Sequence, residues 1–443
     1  MRTTFIATLR MGLQLILRQS DVNWALADQV IVSGSTFLTG VLVARYTGAK
    51  QFGLLNLLWL VVLFVQNIQA SAIISPMLSI APKQSADTLR SYYSVIFFHQ
   101  FLFTVFSTSL VIGAFLIAGE ILPDWDIGPL IWPLAAVIFV SQIHEFLRRY
   151  CFAIDRSFAT CASDIIRYGG QIGVLFWFFR ASPWQPNVAG IFYVMMVTAA
   201  AGAMWASTNI GILKWPKVGL KEISLRHWNF SKWLVGSAII AWASSNIFYL
   251  GAGAMIGTSA IGILKSTQNT MAITHILFQG LQSILPIRAS RAYNKGGIRQ
   301  LIKFVRNATL LLTSITGIVS VIVCIYADRI MELLYGPEFK NYGWVLVAWA
   351  VIYILVAMTQ VIPIGLLTLE KTFPIILSYA CSTVISIAIF FPLIKRYELT
   401  GVIVGTAIVY AIQFLIPFMA LKRLVRTELA RENKTGRLNG VSA

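Results

Sequence analysis

The chain has 443 residues, 57% of them hydrophobic and only 12% charged, with a mean hydropathy of +0.75. Soluble domains carry about 25% charged residues, so this much apolar surface cannot be hidden in a soluble core and belongs in a bilayer. The net charge of +18 does not indicate nucleic acid, because the basic residues lie in short connectors between apolar runs and no basic domain, zinc spacing or RNP-like motif occurs.

In chain order, the first twenty residues alternate Arg2, Arg10 and Arg18 with Phe5, Ile6, Leu9, Leu13, Ile16 and Leu17. This pattern predicts a short amphipathic arm on the inner membrane face, not a cleavable signal peptide. A membrane helix needs about 20 largely apolar residues. Twelve segments reach that length, at 24–45, 52–75, 92–119, 127–149, 160–180, 187–213, 230–252, 261–287, 304–327, 343–369, 373–394 and 399–421. The predicted fold is an all-α integral membrane protein of about twelve transmembrane helices in two six-helix bundles, 1–213 (with the amphipathic arm) and 230–422. A basic cytoplasmic linker, 214–229, joins them, and a basic cytoplasmic tail, 423–443, follows.

Orientation follows from the 35 Lys and Arg residues. With both termini in the cytoplasm, 26 fall on inner segments and seven on outer loops, namely Arg45, Lys50, Arg180, Arg329, Lys340, Lys395 and Arg396. That bias fits the positive-inside rule, and Trp59, Trp125, Trp132, Trp184, Trp215 and Trp344 sit near predicted span ends, where indoles favour the interface. Pro133, Pro363, Pro417 and the Gly251–Gly253 pair are packing features or points of bending.

A stretch near the start recurs halfway along the chain. Shifted by 209 positions, Trp24, Ile31, Ser35, Gly48, Gly53 and Leu55 coincide with Trp233, Ile240, Ser244, Gly257, Gly262 and Leu264. Each copy opens a series of long apolar segments. Duplicated halves in a hydrophobic chain are the usual sign of a transporter whose bundles rock about a shared site.

Ionisable residues at membrane depth cost about 2.5–3.5 kcal/mol on the gentlest scale, so they face a cavity or a partner. Asp28 lies one turn into the first segment. Asp164 and Arg167 stand at i, i+3 in the fifth, where they either neutralise each other between packed helices or line a hydrated cavity. Lys265 opens the polar run Ser266-Thr267-Gln268-Asn269-Thr270 in the eighth; it either snorkels to the interface or lines a cavity for hydroxyl-rich or anionic groups. His99, His144 and His275 are packing histidines or proton carriers. His144 and Glu145 precede Arg148-Arg149 as an inner-rim charge cluster, Gln66, Asn67, Gln69, Gln279 and Gln282 add polar lining, and Glu370-Lys371 reads as solvated interface.

Enzymatic chemistry is not indicated, and neither a cofactor nor a metal is expected. Cys151, Cys161, Cys324 and Cys381 are scattered, with no C-x-x-C pair. Asp124-Trp125-Asp126 has a D-x-D spacing but falls in a short outer loop, and no Walker A, G-x-S-x-G or H-E-x-x-H motif occurs.

The run Ala44-Arg45-Tyr46-Thr47-Gly48-Ala49-Lys50-Gln51-Phe52-Gly53 resembles the A-R-x-x-G-x-x-x-F-G signature of Wzx-type polysaccharide flippases, oligosaccharide-lipid exporters of the multidrug/oligosaccharidyl-lipid/polysaccharide (MOP) superfamily. In it, Gly48 and Gly53 are expected to permit a tight outer turn and Arg45 to satisfy helix-end carbonyls. The resemblance implies a MATE-like fold in a bacterial inner membrane. It also implies transfer of an undecaprenyl-diphosphate-linked oligosaccharide to the outer leaflet by alternating access, through a cavity between the halves, for surface polysaccharide export. Arg167 and Lys265 then suit the anionic head group, Gln268 and Asn269 the sugar hydroxyls, and Asp28 and Asp164 ion coupling or charge tuning. Besides membrane lipids, polysaccharide polymerase or export proteins are the implied partners of a functional monomer. The alternative on the same scaffold is a cation-coupled drug or small-molecule antiporter; an integral-membrane glycan polymerase fits less well, for want of a large outer loop.

Overall fold

The computed structural model describes residues 20–121, 127–181, 187–211 and 219–439. The predicted amphipathic arm, the Asp124–Asp126 spacing and the first part of the basic linker lie outside the described residues, as do the side chains of His275, Gln279 and Gln282.

Helix α1 (Ser20–Gln69) continues through a π-helical turn (Ala70–Ile74), α2 (Ser75–Ile80) and a 3₁₀ turn (Ala81–Lys83). There follow α3 (Ala86–Ile121), a 3₁₀ turn (Gly128–Leu130) and α4 (Ile131–Ala153). Helix α5 (Ser157–Asp164) runs through a second π-helical turn (Ile165–Gly169) into α6 (Gly170–Ala181), and α7 (Val188–Ser207) comes next. Its start is set by Asn187, whose side chain accepts the Gly190 N–H at 2.8 Å, satisfying a donor the first turn leaves open. Helices α8 (Leu220–Met255), α9 (Thr258–Thr270), α10 (Ala272–Ile325), α11 (Ala327–Tyr335), a 3₁₀ turn (Pro337–Tyr342), α12 (Gly343–Thr368) and α13 (Phe373–Asn439) complete the chain.

Among the described residues, eight helical stretches are long and apolar enough to cross a membrane. Their outward faces carry large apolar residues: on α3, Phe101, Phe106, Leu110 and Ile117 are all more than half exposed. Water would penalise such a surface, whereas lipid solvates it. The chain is a multi-pass membrane protein.

Several helices are longer than a bilayer is thick. At 1.5 Å per residue, the 50 residues of α1 would extend roughly 75 Å against a hydrocarbon core of about 30 Å. The backbone breaks at Gly48 (φ 76°, ψ 174°) in α1, at Gly296 and Gly297 (φ 60°, ψ −153°) in α10, and at Glu398 (φ 46°, ψ −125°) in α13. The left-handed positions at Gly48 and Gly297 are open to glycine because it has no Cβ.

The described chain forms two compact units. One comprises the chain up to Thr47 with Leu58–Ile239; the other comprises Gly48–Leu57 with the chain from Ile240 on. In the first unit, Ile73 and Met77, Tyr92 and Ile96 on α3, Phe146 and Tyr150 on α4 and Ala206 on α7 form a closed apolar core. The 3₁₀ turns before α4 and α12 both carry a Gly-Pro pair at their start, Gly128-Pro129 and Gly336-Pro337.

The sequence repeat is visible in the backbone. Gly257, the counterpart of Gly48, has φ 111° and ψ 173°. Gly53 and Gly262 do not turn the chain, contrary to the tight-turn expectation for Gly53. Both are helical, and a Cβ on Gly53 would strike the Thr258 carbonyl while one on Gly262 would strike that of Ala49. Ala49 and Thr258 are themselves 209 positions apart. The contact inside the second unit is therefore reciprocal, repeat position against repeat position, and small residues permit it by letting two helix backbones meet.

Candidate functional site

In the first unit, α1, α4, α5 and the π-helical turn after it bring six charged side chains together. Ser141, His144 and Arg148 stand at i, i+3 and i+7 on one face of α4, and all are buried. Arg148 is the hub. Its Nη2 lies 2.5 Å from Asp28 Oδ2, its Nε donates to Asp164 Oδ2, and its Nη1 is 3.5 Å from Glu145 Oε1. Glu145 also accepts from Arg149 Nε at 2.7 Å. Asp28 and Asp164 thus share one guanidinium.

The expected Asp164–Arg167 pair is not what forms. The π-helical turn that starts at Ile165 inserts an extra residue into the turn and carries Arg167 off the face that i, i+3 spacing would give it. Arg167 instead donates to His144 Nδ1 at 2.7 Å and to Ser141 Oγ at 3.2 Å. Because an arginine only donates, His144 Nδ1 must accept, which leaves the proton on Nε2. His144 Nε2 faces Ser163 Oγ at 3.0 Å and Asp164 Oδ1 at 3.6 Å, and Ser163 Oγ donates on to the Gly202 carbonyl at 2.9 Å. Gly202 is required here, since a Cβ would press into the His144 ring at 2.8 Å. Among the described residues, Asp28 Oδ1, Asp164 Oδ1 and Arg167 Nε are buried with no hydrogen-bond partner.

The second unit is built differently. Lys265 on α9 donates from Nζ to Gln268 Oε1 at 3.1 Å and lies 3.8 Å from the centroid of the Tyr249 ring on α8. Tyr249 Oη donates to the same Gln268 oxygen at 3.0 Å, and its ring stacks on Trp349 of α12, which meets Tyr353 edge-on. None of these partners of Lys265 is a carboxylate. Gln268 and Asn269 do not act together: Asn269 Nδ2 reaches Tyr335 Oη on α11 at 3.2 Å, beside Thr270 Oγ1 at the same distance. Successive helical residues point about 100° apart, which separates the two amides.

Of the signature residues, Ala44 and Phe52 are buried, Arg45 is exposed, and Gly48 forms the break. Just after it, the Ala49 N–H donates to both carboxylate oxygens of Glu338, at 3.2 and 3.3 Å, an acidic cap on a helix start. Sequence reasoning did not single out Glu338, Tyr249 or Trp349, and placed Arg148 only at a rim. The buried polar stripe Ser141–His144–Arg148 is the signal that locates the hub.

The sequence matches no family model and no curated protein. Solved structures do match. A multidrug resistance MATE family transporter of the MOP superfamily, inward-facing, superposes with a TM-score of 0.68 at 13% identity, covering 95% of this chain and 99% of its own. The lipid II flippase MurJ, in an inward closed conformation, gives 0.66 at 13% identity over 90% of this chain and 87% of its own. The Vibrio cholerae MATE transporter VcmN, as a single-site mutant, gives 0.62 at 13% identity over 92% and 99%. The chain has the fold of the MOP-superfamily transporters.

Proposed function

We propose that the chain is a transporter that flips an undecaprenyl-diphosphate-linked oligosaccharide from the inner to the outer leaflet of a bacterial inner membrane by alternating access, serving surface polysaccharide export. One observation carries this reading. Arg148 and Arg149 are paired with carboxylates, whereas Arg167 and Lys265 make their side-chain hydrogen bonds to neutral groups. A cation at membrane depth with no carboxylate in direct contact is costly unless an anion arrives to match it, and a lipid diphosphate is such an anion. Gln268, Asn269 and the aromatic faces of Tyr249 and Trp349 then suit sugar hydroxyls and ring C–H groups. The likeness to a lipid II flippase supports a lipid-linked substrate.

The same reading takes the breaks at Gly48, Gly297 and Glu398 as reversals between membrane passes. Applied to the eight long apolar stretches, and with the α5–α6 run counted as a further pass, that gives twelve passes in two six-helix halves, joined by the linker 214–229, with both termini in the cytoplasm. Arg45 then flanks an outer turn. The protein works as a monomer beside polysaccharide polymerase or export proteins, without catalytic chemistry of its own.

The antiporter reading has its own observation: Asp28 and Asp164 each keep a buried oxygen without a hydrogen bond, next to one shared guanidinium. A proton or Na⁺ there would loosen Arg148. Reconstitution decides between the two. Vesicles loaded with a fluorescent lipid-linked oligosaccharide should show leaflet transfer that Lys265→Ala and Arg167→Ala slow. Drug efflux coupled to H⁺ or Na⁺, with no lipid transfer, would instead establish the antiporter.

A further inference from the structure

The connection between α12 and α13 borders an open cavity of about 600 Å³, lined among others by Glu370, Lys371, Phe373, Met419, Ala420 and Arg423. It lies wholly within the second unit. Helix α12 ends in a two-bond cap: the Lys371 N–H donates to the Leu366 carbonyl at 2.9 Å and the Glu370 N–H to that of Leu367 at 3.0 Å. Glu370 occupies the left-handed position of this cap, at φ 58°, where glycine is usual. The cap fixes the chain direction and sets Lys371 in the lining of the cavity. The other wall comes from the far end of α13, where Met419, Ala420, Arg423 and Leu424 share one helix face.

The chemistry of the lining is amphipathic. Phe373 is 70% and Met419 57% exposed, an apolar floor that water would not favour. Lys371 and Arg423 stand against the single carboxylate of Glu370, and Lys422 and Arg426, both exposed, add positive charge on the adjoining turns. Cations above an apolar floor at the end of a membrane helix match a molecule with an anionic head and a hydrocarbon tail. We propose that this cavity binds an anionic phospholipid, its phosphate held by Lys371 and Arg423 and its acyl chain laid along Phe373, Met419 and Leu424. That the site would face the inner leaflet rests on the orientation proposed above; the binding does not.

The test uses the full chain in detergent, read by native mass spectrometry with phosphatidylglycerol and phosphatidylcholine of the same acyl chains. Phosphatidylglycerol should be retained at concentrations where phosphatidylcholine is not. Each basic residue near an anionic head group contributes about fivefold, so Lys371→Gln/Arg423→Gln should weaken retention by about 25-fold, while Lys395→Gln/Arg396→Gln should leave it unchanged. Ala420→Trp, which fills the floor and keeps both cations, should also expel the lipid, so the proposal stays testable if the double variant fails to fold. Equal retention of the two lipids, full retention by a folded double variant, or displacement by millimolar inorganic phosphate would overturn it. Retention is measured without any transport, so a protein that moves no glycan lipid can still bind phosphatidylglycerol.

Discussion

The two units treat buried charge in opposite ways. In the first, Arg148 and Arg149 are matched by three carboxylates where α1, α4 and α5 meet, and Arg148 alone touches three acids. In the second, Lys265 answers to an amide oxygen and an aromatic ring. The repeat sharpens the contrast, because the counterpart of Lys265 is Asn56, which only donates to its own helix at the Phe52 carbonyl, 2.8 Å away. One scaffold thus carries a charge network closed on itself and, in the other unit, a cation left open. Where fixed acids match a buried cation, its removal should damage the fold; where neutral groups hold it, removal should damage function.

The largest expected effect tests the closed network. Arg148→Ala leaves Asp28 and Asp164 buried without their shared partner, which should destabilise the protein by about 3–5 kcal/mol. Thermal unfolding of the full chain in detergent measures this. Adding Asp28→Asn and Asp164→Asn should recover part of the loss by removing the stranded charges. An Arg148→Ala protein with the wild-type midpoint would end the distinction between the two units.

The next effect concerns the contact between the two repeats inside the second unit. Gly53→Ala and Gly262→Ala each push a methyl into the other repeat's backbone, Thr258 or Ala49, and each should cost about 1–3 kcal/mol. Because both glycines serve one crossing, the double variant should cost clearly less than the two singles together. Full additivity in a double-mutant cycle would mean that the two repeats do not meet at a single point.

These glycines also show what was legible beforehand. Gly48 and Gly257 were readable, since a left-handed break between apolar runs is a local demand that glycine meets. Gly53 was misread as a turn residue because its partner, Thr258, is 205 positions away and local pattern carries no trace of it. Asp28, Asp164, Arg167 and Lys265 stood out as ionisable groups in apolar runs, and all four prove to lie in polar clusters. Their partners were not readable: a π-helical turn redirects Arg167, and Arg148 at the end of an apolar segment looks like an ordinary positive-inside residue. Gln268 and Asn269 read as one polar patch because a one-dimensional run hides the roughly 100° between neighbours.

The smallest effects probe the open cation. Lys265→Ala should shift the unfolding midpoint little, since Gln268 Oε1 keeps its bond from Tyr249 Oη. Lipid transfer should nevertheless fall about tenfold, the loss of roughly 1.4 kcal/mol of interaction with an anion. Lys265→Arg keeps the charge and should retain most of the rate. Tyr249 separates ring from hydroxyl: Tyr249→Leu removes the face beneath the ammonium, an interaction of about 0.5–2 kcal/mol, whereas Tyr249→Phe preserves it. The transfer rate of the leucine variant should therefore fall below that of the phenylalanine variant. If instead Lys265→Ala unfolds as readily as Arg148→Ala and transfers lipid at the wild-type rate while it is folded, the open cation is structural, and the two units differ only in the partners they chose.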